Sequence, residues 1–251
     1  GRRRRKHGRL EMSVILDGDE VLFRAAAACQ TAIDWGDGVS KTSDFNSVCR
    51  IIDDTIQTCV NNLGPLHSVA FSPEHNFRKE LWSGYKAARD PQAKPVHYWV
   101  AKEYLEREYP SEEIAGLEAD DIMGMQCTPE IAMASSDKDM STIPHVRRYS
   151  IYHKKVLAAP TEFEADRFLF KQALTGDPTD GFKGCPNVGN KRADKILADC
   201  TKLEELEDAL IDAYVVRGLT EDDALLQLRM ARILRPGEFE NGKPVLYSWR
   251  G

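Results

Sequence analysis

Three short apolar runs constrain this chain more than any other feature. SVILD (13–17), LHSVAF (66–71) and IAMASS (131–136) each have the length of one strand. A strand buried on both faces is a near-continuous apolar run rather than an alternation, and such strands belong to parallel sheets. Between them lie stretches with helical spacing, at residues 19–32 and about 44–62. The second carries Val48, Ile51, Ile52, Ile56 and Val60 along one side. Gly64-Pro65 marks the turn into the second run. RYSIY and KKVLAA, about residues 148–159, suit a hairpin or two edge strands. Strands alternating with helices predict an α/β fold, with a mostly parallel central sheet flanked by helices.

After Pro160 the pattern turns helical. Thr161 with Glu164 three residues on has the spacing of a capping box. Further helices are expected at about 190–199, 203–215 and 220–234, then a short closing strand, PVLYSW. The predicted organisation is an α/β core over residues 12–160 and a helical region over 161–251 packed against it. Residues 1–11, GRRRRKHGRLE, are set aside as a disordered basic arm or a cloning remnant.

No apolar run approaches the ~20 residues of a membrane span, and no apolar segment follows the basic N-terminus as in a signal peptide. The expectation is a soluble cytoplasmic protein without membrane contact. Its six scattered cysteines then read as reduced thiols. A net charge of −6 does not favour approach to phosphate, so any nucleic-acid surface must come from local basic clusters.

Acidic residues cluster where the outlined fold would gather them. Asp17 ends the first strand, at the edge where open α/β sheets bind ligands. Glu118, Asp120 and Asp121 lie in GLEADDIMG at a helix start, with Glu118 and Asp121 on one helix face. Asp137 and Asp139 follow the third run, and Asp177 and Asp180 stand in TGDPTDG. One such pair alone reads as a helix cap or a surface acid. Four clusters at strand ends and helix starts are costly unless cations neutralise them. Oxygen donors choose Mg²⁺ or Mn²⁺ over zinc, and two such ions ~3.5–4 Å apart serve phosphodiester hydrolysis. The pattern points to metal-dependent phosphoryl transfer.

The ordered motifs LDGD (16–19), FRKEL…YKAAR (77–89), GLEADD (116–121), SSDKD (135–139) and TGDPTDGFKGCPNVGNKRA (175–193) resemble the 5′-nuclease (flap endonuclease) superfamily. The ending, RMARILRPGEF…LYSWR, is similar to the 5′→3′ exonucleases of short-tailed bacteriophages. The resemblance runs from Met12 to Trp249. It implies one metal site at Asp17, Glu118, Asp120 and Asp121. A second would use Asp139, Asp177 and Asp180, with Asp137 near both. The family's aspartate after the second strand is missing: Pro73 stands there, between Ser72 and Glu74, and Glu74 is the expected substitute.

Residues 77–104 interleave Arg78, Lys79, Lys86, Arg89, Lys94 and Lys102 with Trp82, Tyr85, Tyr98 and Trp99. Such a pattern suits phosphate contact and base stacking, although aromatics at this density also serve as core. The resemblance implies a helical arch over about 77–107, with Lys86 and Arg89 facing the scissile phosphate and Tyr85 stacking on a terminal base. GFKGCPNVGNKRADKIL (181–197) has Gly184, Pro186 and Gly189 at a turn, with Asn190 placed to cap the next helix. Backbone N–H groups there suit a phosphate, and Lys183, Lys191, Arg192 and Lys195 add charge. By resemblance this is a helix–three-turn–helix (about 175–200) that grips duplex DNA and binds K⁺.

The implied function is a monomeric Mg²⁺- or Mn²⁺-dependent 5′→3′ exonuclease with flap endonuclease activity, using two ions per site. Its partners would be DNA 5′ ends, flaps and duplex, and RNA–DNA hybrid, during phage replication in the host cytoplasm. Two alternatives are a non-catalytic DNA-end or fork-binding protein and a PIN-type ribonuclease. The first draws on the missing aspartate. The second lacks a helix–three-turn–helix.

Overall fold

A computed structural model of the protein describes residues 12–88 and 94–250. The basic arm 1–11 and Arg89 therefore lie outside the described residues. In chain order, β1 (Ser13–Asp17) leads into α1 (Gly18–Cys29), and a hairpin, β2 (Thr31–Asp34) and β3 (Val39–Thr42), precedes α2 (Phe45–Leu63). Then come β4 (Leu66–Phe71), α3 (Phe77–Leu81), α4 (Tyr98–Glu108), β5 (Ser111–Glu113) and α5 (Ala119–Gln126). β6 (Ile131–Ala134) is followed by a 3-10 helix (Lys138–Thr142), then β7 (Arg148–Ser150) and β8 (Lys155–Leu157). The C-terminal part holds α6 (Glu162–Thr175), α7 (Asn190–Ile196), α8 (Leu203–Val215), α9 (Glu221–Ala231) and the small pair β9 (Phe239–Glu240) and β10 (Lys243–Pro244).

The main sheet has the order β5-β4-β1-β6-β7-β8, parallel except for the β7–β8 pair. All three apolar runs are its inner strands. Val14, Ile15 and Leu16 are all fully buried, and burying each such side chain contributes roughly 1.5–3 kcal/mol. Val14 and Leu16 pack with α1, α2 and α4, whereas Ile15 faces α5 together with Ile233 and Leu234. A third apolar cluster, with Phe170, Leu210 and Leu228 at its centre, joins α6, α8 and α9. Strand order reverses direction at β1: the chain goes to β4 and β5 on one side, then returns to β6 on the other. Crevices at such switch points, outside the carboxyl ends of the strands, are where open α/β sheets bind ligands.

The capping box predicted at Thr161 and Glu164 is present, with Thr161 Oγ1 accepting from Glu164 N at 3.2 Å. Other expectations need correction. The first helix stops at Cys29, because Gln30 is extended, and the exposed β2–β3 hairpin follows. PVLYSW is not a strand: only Lys243–Pro244 pairs with Phe239–Glu240, and Tyr247 and Trp249 pack onto the helical cluster. Asn190 is the first residue of α7 rather than its cap, a position held by Gly189 without a side-chain bond. Of the stretch expected as an arch, α3 forms one end and α4 the other, with turns over 83–88, and residues 89–93 lie outside the described residues. Tyr98 is buried in the sheet core and Trp99 is exposed.

Candidate active site

Asp17 is both the last residue of β1 and the N-cap of α1, so the strand end and helix start pin one carboxylate at the switch point. Its Oδ1 accepts from Glu20 N at 2.9 Å, and its Oδ2 accepts from the Ser135 hydroxyl at 3.1 Å. Ser135 Oγ in turn accepts from Asp137 N at 3.1 Å, which ties the end of β6 to the end of β1. Glu118 is the N-cap of α5 and shares a capping box with Asp121. Asp137 caps the 3-10 helix that carries Asp139. Asp177 and Asp180 stand just beyond the Gly176 C-cap of α6.

One cleft is lined by Tyr85, Glu118, Asp120, Asp139 and Asp180. Burial, then the charges of Asp17 and Asp137, push the Asp120 carboxyl well above the usual carboxylate range. Asp17 is raised to about 7, by burial and then by Asp19. Asp139 is also raised to about 7, by burial and then by Asp137. Seven of the nine expected acids thus act on one another in one region: Asp17, Glu118, Asp120, Asp137, Asp139, Asp177 and Asp180.

Basic and amide groups hold several of them. Lys86 Nζ lies 2.6 Å from Glu118 Oε1 and 3.7 Å from Asp180 Oδ1. Burial opposes ionisation of Glu118, but Lys86 and Arg78 outweigh it and hold this carboxyl below its ordinary value. Gln172 Nε2 donates to Asp139 Oδ1 at 2.6 Å, and Lys138 Nζ stands 3.3 Å from Asp177 Oδ2. Among the described residues, no three His, Cys, Asp or Glu side chains are arranged to hold one ion directly. The donor set still fits hard divalent cations, since its acidic groups are carboxylates, and burial with neighbouring acids holds Asp17, Asp120 and Asp139 above the usual carboxylate range.

Several expected roles do not fit the geometry. Asp121 is fully buried, and both oxygens are used inside the protein, by Arg78, by Leu234 N (3.1 Å) and by Glu118 N (3.2 Å). Arg78, expected at DNA, is equally buried. Tyr85 belongs to the helical core, so its ring cannot stack on a base. Its hydroxyl stands 2.8 Å from Glu118 Oε2 and 3.2 Å from Asp180 Oδ2. Burial and those acids raise the phenol and keep it a proton donor. Gly184 is also buried. With φ at 66°, an added Cβ would lie 2.3 Å from Gly176 N, so this glycine closes the turn rather than meeting DNA.

The remaining basic residues face solvent. Lys79, Lys94, Lys183, Lys191, Arg192 and Lys195 are exposed, as is Gly189 at the start of α7. Glu74 is exposed, with its carbonyl accepting from Lys79 Nζ at 2.8 Å. The residue just past β4 is Ser72. Its N–H donates to Asp19 Oδ2 at 3.0 Å, and its hydroxyl accepts from Ala119 N at 3.0 Å. Asp19, which also accepts from the Tyr98 hydroxyl at 3.1 Å, is thus an acid hydrogen-bonded to that strand end. Sequence reasoning missed Asp19 and Ser135, although LDGD and SSDKD contain both.

The family model described as "5′-3′ exonuclease, N-terminal resolvase-like domain" matches residues 12–168. The exodeoxyribonuclease of Enterobacteria phage T3 is 28% identical, over 94% of this chain and 92% of that protein. The exonuclease of Escherichia phage T7 is also 28% identical, over 94% and 93%. Among solved structures, the T5 D15 protein co-crystallized with metal ions superposes with a TM-score of 0.64. It has 18% identity, covering 87% of this chain and 88% of that one. Among the described residues, no helix is long and apolar enough to cross a membrane.

Proposed function

The chain belongs to the family of the 5′-3′ exonuclease N-terminal, resolvase-like domain, and from that premise we propose that it hydrolyses DNA phosphodiesters near 5′ ends, including flap junctions, with divalent cations. The observation that carries this reading is the convergence of acids from three chain segments on one cleft, beside Asp17 at the sheet's switch point, whose charge acts on Asp120. The relatives from phages T3 and T7 are named as exonucleases, and the flap activity is inferred from the likeness to 5′-nucleases.

Residues 12–160 act here as the catalytic core and the helices after 160 as the duplex grip. Exposed Lys183, Lys191, Arg192 and Lys195 take the phosphates of the duplex. Asp17, Glu118, Asp120, Asp137, Asp139, Asp177 and Asp180 would hold Mg²⁺ or Mn²⁺, and a pair of such ions would supply an activated water and stabilisation of the leaving oxygen. The Lys86 ammonium, 2.6 Å from Glu118 Oε1, is the cation placed among these acids to oppose charge growing on the phosphate under attack. Tyr85 and Gln172 hold Glu118 and Asp139 in orientation through the cycle.

The test is a gel assay on a 5′-flapped duplex labelled at either end, with Mg²⁺, Mn²⁺ or EDTA. Metal-dependent products at the 5′ end or near the flap junction are expected. Binding without products in either metal would sink the nuclease reading and favour a DNA-end-binding protein.

A further inference from the structure

Arg78 uses all five of its N–H donors inside the protein. Nε donates to Met230 O at 3.2 Å, and Nη1 donates to Asp121 Oδ2 at 2.6 Å and Glu118 Oε2 at 3.2 Å. Nη2 donates to Asp121 Oδ1 at 2.8 Å and to the carbonyl of Arg232. Asp121 completes the junction, since its Oδ1 also accepts from Leu234 N and its Oδ2 from Glu118 N. The run RMARIL (229–234) thus contributes backbone groups at 230, 232 and 234 to a clasp around α3 and the start of α5. The strap lies so close that a Cβ at Gly124 of α5 would come within 2.3 Å of Leu234 O.

A buried ion pair of this kind is a poor source of stability, because desolvation offsets most of its attraction. What it does supply is geometry. Glu118 is held by its carboxylate, through Arg78 and Tyr85, and by its backbone N–H, through Asp121. Asp120 lies between those two anchors in sequence, and both Glu118 and Asp120 line the cleft.

We propose that Arg78 is a positioning residue: with Asp121 and the 230–234 strap, it sets Glu118 and Asp120 in the arrangement that divalent cations require. The role rests on the metal-dependent reading above. It assigns a function to the C-terminal run that DNA contact and chemistry leave unexplained.

The experiment is a Mn²⁺ titration followed by electron paramagnetic resonance without DNA, on the full chain and on Arg78→Lys, Gly124→Ala and Arg235→Ala, each checked by thermal melting. Lysine keeps the charge but loses the fork. Gly124→Ala displaces the strap without touching any acid. Arg235 anchors the same strap elsewhere, on Thr142 O (2.8 Å) and Asp166 Oδ1 (2.7 Å). Arg78→Lys should weaken Mn²⁺ binding on the order of 10–100-fold and lower kcat with KM for the flapped duplex unchanged. Arg235→Ala should lower the melting temperature alone. A folded Arg78→Lys protein with unaltered Mn²⁺ affinity would overturn the proposal, as would an equal loss in Arg235→Ala. If Arg78→Lys does not fold, Gly124→Ala decides on the same criterion. Failure of the unaltered protein to bind Mn²⁺ would remove the metal reading itself, and this role with it.

Discussion

The Lys86 ammonium sits 2.6 Å from Glu118 Oε1, on a residue whose backbone is left-handed, with φ at 53°. That backbone is stitched to the second acidic loop, as Lys86 N donates to Asp180 O at 2.8 Å. The loops before and after the cleft therefore carry one cation into the middle of the acids, where it supplies part of the counter-charge.

Lys86→Ala should move two quantities in opposite directions. Losing a positive charge beside the site strengthens its attraction for divalent cations, so Mn²⁺ should bind more tightly. The single-turnover cleavage rate should fall, on the order of 10²-fold, as for removal of one charge-stabilising donor. Duplex affinity should change little. A joint loss of metal binding and rate would mean that Lys86 supports the site's architecture rather than the reaction.

Asp17 and Asp139 are raised from 3.8 to about 7, in each case chiefly by burial and then by a neighbouring aspartate. A carboxyl whose folded value exceeds its unfolded value stabilises the fold in its protonated form. That contribution is complete below the unfolded value and is lost as pH rises through the folded one. The metal-free protein should thus lose stability between about pH 4 and about pH 7. Mg²⁺ replaces those protons, so the rise in melting temperature that it causes over EDTA should be larger at about pH 8 than at about pH 5. Equal increments at both would dissociate these acids from metal binding.

The Asp177 carboxylate also shapes its own turn. Its Oδ1 accepts from Thr179 N at 2.8 Å, and its own N–H donates to Phe182 O at 2.9 Å. Burial opposes ionisation, yet the Thr179 N–H and Lys138 outweigh it and hold the group below its usual value. Asp177→Asn keeps an acceptor for Thr179, so it should fold and bind duplex normally while losing cleavage. Asp139→Asn should behave the same way. Asp177→Ala should melt lower as well, by about 1 kcal/mol for the missing hydrogen bond. Near-normal cleavage by Asp177→Asn would leave Asp177 a turn residue and nothing more.

What was legible in the sequence follows from how local each signal is. SVILD, LHSVAF and IAMASS state their burial in five or six residues, and Thr161 states its capping partner in four. Acids at strand ends were legible because parallel strands deliver their carboxyl ends to one edge. Arg78 and Tyr85 were not. A cation and an aromatic in FRKELWSGYK look like a DNA surface until Asp121, 43 residues on, and the acids beneath Tyr85 fold against them. The β2–β3 hairpin was hidden for the opposite reason. Its strands are exposed on all sides, so no apolar pattern announces it.

α7 places Lys191, Arg192 and Lys195 in solvent, on a short helix outside the acidic cleft. Ala193 and Leu197 anchor it to the helical core, so the three cations can be removed without opening that core. Phosphates neutralised by a protein release condensed counterions, and each contributes about 0.9 to the slope of log affinity against log salt. The Lys191→Ala, Arg192→Ala, Lys195→Ala triple variant should bind a flapped duplex more weakly, with a slope smaller by about one for each phosphate it no longer neutralises. Its cleavage rate at saturating DNA should remain that of the unaltered protein, because the acids are untouched. Fluorescence anisotropy in Ca²⁺ across a salt series measures the slope, and single-turnover cleavage in Mg²⁺ measures the rate. An unchanged slope would move the duplex off α7. A fall in rate at saturation would mean that the grip also positions the scissile phosphate.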